Sequence, residues 1–354
     1  MQGRLHFLDS LRGLAAIYVV FFHTLMVPNP PPVLHGWALS QLVHFGGTGP
    51  FLFFIISGFS LSLTMPRHDR RAMPAVSYGL SRFFRIAPLF YFVMAVLCLV
   101  YKYPYVGPKT LGLNVAFLFN LAPGKQFGIV PASWTIGVEM LFYIAFLPIK
   151  RASLAIQLLF CLIAVCGFVA LLFVLPPTYT YWTVLGYFPL FIFGMWAFDL
   201  FERLRQSPRA RQLGGALLGL GVVLLLFCIC FPLAEKNVGL RIPIGIGYAA
   251  LLVGCGLLPV AVLEARPLQF FGKISYSVYL IHVPIVTYLG PSFQNISRVV
   301  PGAISYWLCA FLVLAIATPL ATLTYNFIEV PGEKLGRWTI DRLMAGRTKA
   351  LRAA

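Results

Sequence analysis

The chain has 354 residues, of which 60% are hydrophobic and only 10% charged, and its mean hydropathy is +0.86. Soluble globular domains carry about 25% charged residues, so this composition excludes one and indicates an integral membrane protein. The formal net charge of +17 needs no nucleic acid to explain it, because most of it follows from membrane topology and the surplus suits anionic lipid head groups.

Ten apolar stretches approach the length of about 20 residues that crosses the hydrocarbon layer. They lie near 8–27, 47–64, 83–101, 131–149, 153–175, 182–199, 213–233, 242–263, 274–291 and 302–328. With both termini inside, 21 of the 27 Lys and Arg residues fall on the cytoplasmic side, the bias that sets orientation. The expected fold is an all-α bundle of about ten transmembrane helices, with a membrane domain over 1–330 and a basic cytoplasmic tail over 331–354. All seven cysteines sit inside apolar runs with no CxxC and no Cys/His cluster. Neither a zinc site nor a disulfide framework is expected.

The first stretch, "LDSLRGLAAIYVVFFH", carries Asp9 and Arg12 and runs into "VPNPPP" without a small-x-small cleavage site, so it reads as retained rather than cleaved. Arg12 and His23 are eleven positions apart, which on a helix is three turns plus about 20° and about 16 Å of rise. They share one face. A guanidinium at the inner mouth can grip a phosphate, and an imidazole deeper in can take up and return a proton. Taken singly, Arg12 is a topology anchor beside Asp9, and His23 a hydrogen-bonding packing residue.

The second stretch holds Gly46, Gly47, Gly49 and the pair Ser57–Gly58. Small residues let helices approach closely, and Ser57 and Gly58 alternatively leave room for a thin ligand arm. "SRFFRIAPLF" at the start of the third places Arg82 and Arg85 on one helix face, either as anchors or as a docking place for phosphates. The connection that follows, "TLGLNVAFLFNLAPGKQFGIVPASW", is too long for a tight loop and its apolar part, 111–122, too short to span. A re-entrant or interfacial piece lining a cavity is expected there.

Glu139, in "SWTIGVEMLFY", is an acidic residue near the middle of the fourth stretch, where an unpaired carboxylate is costly. It needs a partner, an arginine or a tyrosine, or a proton to relay beside His23. In the ninth, "FGKISYSVYLIHVP" sets Ser275, Tyr279 and His282 on one stripe, as cavity lining or as a structural hydrogen-bond ladder. "YNFIEVPGEK" then puts Tyr325 and Glu329 one turn apart, a helix-end interaction before Pro331.

The order of "LDSLRGLAAIYVVFFH", "FLFFIISGFS", "SRFFRIAP", "SWTIGVEMLFY", "FGKISYSVYLIH" and "FIEVP" resembles membrane-bound acyltransferase family 3, bacterial members of which O-acylate surface saccharides. The resemblance implies a ten-helix enzyme of the bacterial inner membrane, moving an acyl group, usually acetyl, from cytoplasmic acyl-CoA to an acceptor hydroxyl, with no metal. It implies that Arg12 and His23 match the family's essential Arg/His motif, that Arg82 and Arg85 match the arginine pair engaging CoA, and that Trp134 and Glu139 match the Trp/Glu motif. Tyr143, Ser57, Gly58, Ser275, Tyr279 and His282 are then candidates for lining the cavity or meeting the acceptor. Thr135 stands where serine is common, and Gly332 where an aromatic is frequent. Some members carry a further esterase-like domain; here only the basic stretch follows residue 328, so a second transferase is expected to be a separate polypeptide. The Arg12–His23 separation is comparable to a pantetheine arm, with His23 as general base or as acyl carrier and Glu139 orienting or balancing it. A proton-coupled secondary transporter using the same groups and a structural or export scaffold are the rival readings.

Overall fold

The computed structural model describes residues 5–29, 31–32, 34, 36–100, 106–231, 238–300 and 302–353. Its helices in chain order are α1 (His6–Met26), α2 (Trp37–Phe45), α3 (Gly49–Asp69), α4 (Pro74–Val100), α5 (Pro108–Val115), α6 (Trp134–Arg151), α7 (Leu154–Val174), α8 (Pro177–Thr180), α9 (Phe188–Leu204), α10 (Ala210–Ile229), α11 (Arg241–Leu257), α12 (Arg266–Val299), α13 (Ala303–Thr324) and α14 (Val330–Ala353). A π-turn over Tyr325–Glu329 joins the last two, and no strand occurs among the described residues.

Each of the ten apolar stretches coincides with a helix. Among the described residues, eight helical segments are long and apolar enough to cross a membrane: those containing α1, α2 with α3, α4, α7, α9, α10, α11 and α13. The other two expected spans, α6 and α12, dilute their apolar residues with Glu139, Lys150 and Arg151, and with Lys273, Ser275 and His282. The two helices that look least like membrane spans thus both carry candidate site residues. The described chain divides into two compact units, one of residues 1–59 and 185–321, the other of 60–184 and 322–354.

In the first unit α1 and α12 pack along each other. A Cβ on Gly13 would lie 2.9 Å from the backbone nitrogen of Gly272, and one on Gly272 would collide with the backbone of Asp9. The two main chains therefore touch, which only side-chain-free positions allow. Ser10 Oγ donates to the carbonyl of Leu263 at 2.5 Å beside this crossing. Farther along, Tyr306 Oη donates to the carbonyl of Phe21 at 3.0 Å, and the hydroxyls of Thr48 and Tyr248 meet at 2.7 Å. These polar groups are each answered by another, as burial without water favours.

In the second unit α14 lies against α4. The stretch beyond residue 330, which reads in sequence as a basic tail, is a helix whose buried side is made by Gly332 against Pro88, Gly336 against Phe84, and Ile340. Arg85 Nη1 pins this contact by reaching Glu329 Oε2 at 3.0 Å and Glu333 Oε1 at 2.5 Å. The stretch between α4 and α6, expected to be re-entrant or interfacial, forms α5 and a 3-10 turn, Phe119–Leu121. Two asparagines hold its irregular backbone: Asn114 Oδ1 accepts from Ile129 N at 2.9 Å, and Asn120 bridges Trp182 O and Val184 N. Phe117 and Ala132 adopt φ of 57° and 64°, each a strain of order 1–3 kcal/mol.

Two stability measurements check this packing. Gly272→Val is expected to lower the unfolding free energy by at least about 1–3 kcal/mol through overpacking, whereas Gly290→Val, where an added Cβ meets nothing within 4 Å, is expected to be silent in a thermal melt. Arg85→Ala leaves the fully buried Glu329 side chain without that cation and is expected to cost about 3 kcal/mol, while Arg71→Ala, which breaks an exposed pair with Asp341, should cost under about 1 kcal/mol.

Candidate functional site

The candidate residues fall into two sets, one within each unit. The first set is built on the α1–α12 crossing. His23 lies ten positions after Gly13 and His282 ten positions after Gly272, so two helices running in the same direction from a shared contact carry both rings about 15 Å along their axes. They arrive together: His282 Nε2 lies 3.0 Å from His23 Nδ1, with ring centroids 4.9 Å apart. His23 Nδ1 also lies 3.1 Å from the carbonyl of Val19. His282 Nδ1 lies 2.7 Å from the carbonyl of Tyr279 and 3.2 Å from that of Val278. His282 is 0% exposed, while His23 is only partly buried.

The ninth-stretch stripe faces inward throughout, with Ser275 and Tyr279 both buried. Ser275 Oγ returns to the carbonyl of Gly272 at 2.9 Å, one rung of a structural ladder. Tyr279 stands between Phe53 and His282, at centroid distances of 5.8 and 5.6 Å. On the second stretch, Gly58 abuts the backbone of Phe191 and the nitrogen of Met195 on α9, a close helix contact. Ser57 beside it is partly buried. At the other end of α1, Arg12 Nη1 sits 3.5 Å from Asp9 Oδ1, its side chain 28% exposed.

The second set lies along α4 and α6. Glu139 Oε1 accepts from Tyr143 Oη at 2.5 Å, one helical turn away. The carbonyl of Tyr143 in turn accepts from Tyr78 Oη at 3.1 Å, and Arg82 and Glu139 both lie within electrostatic reach of that Tyr78 hydroxyl. Arg82 is partly exposed, its Nε 3.3 Å from Ser81 Oγ. Arg85, its expected partner, is engaged by Glu329 and Glu333. Glu333 Oε2 also lies 3.6 Å from Arg337 Nη1, so Arg85 sits within a cluster of mixed charge. Glu329 is therefore not merely a helix-end residue near Tyr325 but a buried member of this ion triad.

Trp134 is buried at the start of α6, its ring 4.7 Å from that of Trp182, which also meets Phe127 at 4.9 Å. Phe127 borders a cavity of about 250 Å³ lined by Val106, Thr110, Gly124, Lys125, Gly128 and Ile129. No group of three or more His, Cys, Asp or Glu side chains is placed to hold a metal ion among the described residues.

Sequence reasoning singled out His23 and His282 separately but not as a pair, since 259 positions separate them. The shared offset of ten residues from a glycine on each helix was the signal that could have joined them. Glu333 and Trp182 were missed outright, and neither stands out from its neighbours in the chain.

The family described as "Acyltransferase domain", acyltransferase-3, matches residues 5–325. The chain is similar to the peptidoglycan O-acetyltransferase OatA of Listeria monocytogenes serovar 1/2a, at 24% identity over 382 aligned positions that cover 93% of this chain and 56% of that protein. It therefore spans little more than half the length of that relative. It is also similar to the exopolysaccharide production protein ExoZ of Rhizobium meliloti, at 27% identity over 310 positions covering 82% of this chain and 91% of the relative. No solved structure matches it. With the family matched across nearly its whole length, the chain belongs to the acyltransferase-3 family.

Proposed function

We propose that this protein is a membrane O-acyltransferase that moves an acyl group, acetyl in the simplest case, from cytoplasmic acyl-CoA to a hydroxyl of a cell-surface or lipid-linked saccharide. The observation that carries the reading is the partly accessible imidazole of His23, hydrogen-bonded to a second, buried imidazole inside an apolar helix bundle. An ionisable ring at such a place is costly and is kept for chemistry. The family match supports acyl transfer as that chemistry, and the names of the relatives, a peptidoglycan O-acetyltransferase and an exopolysaccharide production protein, support a surface saccharide as the acceptor. The ten-span arrangement with both termini on the cytoplasmic side, in the inner membrane of a bacterium, belongs to the same proposal and rests on the distribution of Lys and Arg.

In the proposed reaction His23 takes the proton of the acceptor hydroxyl as its oxygen attacks the thioester carbonyl. The C–S bond breaks, and the proton passes to the departing CoA sulfur. A route through an acyl-imidazole on His23 uses the same groups in two steps. Arg12, on the same helix as His23 and about 16 Å along it, is assigned to the donor's phosphates, as is the partly exposed Arg82. Arg85, already held by two carboxylates, is assigned to fixing α14 on α4. Glu139 with Tyr143 is assigned to holding a proton, and Tyr279, Trp134 and Ser57 to shaping the acceptor's surroundings. The transporter alternative draws no support from a family of acyltransferases.

His23→Ala is expected to abolish O-acylation of surface glycans in cells, read by mass spectrometry, while the protein stays folded in the membrane. Arg12→Ala is expected to raise the acyl-CoA concentration for half-maximal rate by roughly tenfold, the loss of one charge-assisted phosphate contact of about 1.5–3 kcal/mol. Unchanged acylation in the His23 variant would remove the proposal.

A further inference from the structure

We propose that His282 is a positioning residue that holds His23 in the Nδ1–H form, so that Nε2 of His23 is the single nitrogen of the pair open to the acceptor's proton. This rests on the acyltransferase reading of His23 and adds to it the atom, the tautomer and the residue that sets them.

Carbonyl oxygens only accept hydrogen bonds. The Nδ1 of His282, 2.7 Å from the carbonyl of Tyr279 and 3.2 Å from that of Val278, therefore carries a hydrogen. In a neutral ring its Nε2 then holds a lone pair, and that lone pair faces His23 Nδ1 at 3.0 Å. His23 Nδ1 faces a second acceptor, the carbonyl of Val19, at 3.1 Å. Two acceptors converge on it, so it too carries a hydrogen. Three carbonyls fix both tautomers without any freedom left in the network. Nε2 of His23 meets no hydrogen-bond partner among the described residues and belongs to the only one of the two rings with exposed surface.

An added proton has two places to go, and the geometry separates them. On Nε2 of His282 it would set two N–H groups against each other at 3.0 Å. On Nε2 of His23 it leaves every existing bond intact, and the Nδ1–H of the new imidazolium still points at a lone pair. His282 thus does for His23 what a carboxylate does for the histidine of a hydrolytic triad, orienting the ring and meeting its charge when it forms. A neutral imidazole suits this place better than a carboxylate, because it buries no charge while the site is at rest. His282 has no exposed surface, so it acts through His23 and not on the substrate.

The test uses the full-length chain in membrane vesicles that carry its native acceptor, with release of CoA thiol from acetyl-CoA as the readout. His282→Phe keeps an aromatic ring and removes the acceptor nitrogen; the maximal rate is expected to fall roughly 10²-fold, with the acetyl-CoA concentration for half-maximal rate unchanged within about twofold. His282→Gln, whose amide oxygen can accept from His23 Nδ1, is expected to recover the rate to within about tenfold of wild type. Nitrogen NMR of the wild-type protein labelled at histidine, with His23 assigned by its loss in His23→Gln, is expected to show Nδ1 protonated and Nε2 bare. A wild-type rate in His282→Phe, equal losses in the Phe and Gln variants, or a protonated Nε2 on resting His23 would each overturn the proposal. If His282→Phe fails to fold, the wild-type spectrum and the Gln variant decide it. A His23→Ala variant that still releases thiol at the wild-type rate would instead strike the acyltransferase reading itself.

Discussion

One imidazole holding another inside an apolar bundle is the interaction on which the functional architecture turns. A single histidine in such surroundings would face the desolvation cost of its polar nitrogens with little to offset it. Two rings bonded at 3.0 Å, with a backbone carbonyl also at the Nδ1 of each, satisfy three of their four nitrogens and leave the fourth for chemistry. The bond exists only because α1 and α12 are in register. That register is fixed at the glycine contact near their first turns, where a methyl group would already collide with the opposite main chain. Packing at one end of the helix pair is thus what places reactive atoms at the other.

The second unit solves a different problem. Its irregular connection between α4 and α6 needs two buried asparagines and tolerates two non-glycine residues with positive φ, an arrangement that a simple span would not require. Its helix α14 is held to α4 by a guanidinium between two carboxylates. A buried carboxylate survives in an apolar setting only when its cation stays with it, so Arg85 and Glu329 are one structural unit even though 244 positions separate them.

Much of the fold was legible in the chain. Length and apolarity of the ten stretches are local properties, and each of them is a helix. The 3.6-residue period also put Ser275, Tyr279 and His282 on one stripe, and all three are buried. What could not be read was partnership. Nothing near His23 announces His282, and nothing near Arg85 announces Glu329 and Glu333, because tertiary pairs are set by helix register across hundreds of positions. The form of the basic stretch after residue 330 was likewise unread: Gly332, Gly336 and Ile340, spaced four apart, carry the buried face of helix α14. For Arg85 the unread part was its ion pairing with Glu329 and Glu333.

The chemistry assigned to His23 is tested most directly by reconstituting the full chain in liposomes with acyl-labelled acetyl-CoA and a surface-saccharide fraction, and following label and CoA thiol together. The account predicts that label appears as an ester on saccharide hydroxyls in step with the thiol released, and that both vanish when His23 is replaced by alanine. Solute crossing the membrane with no thiol liberated, or ester formation that persists without the imidazole, would contradict it.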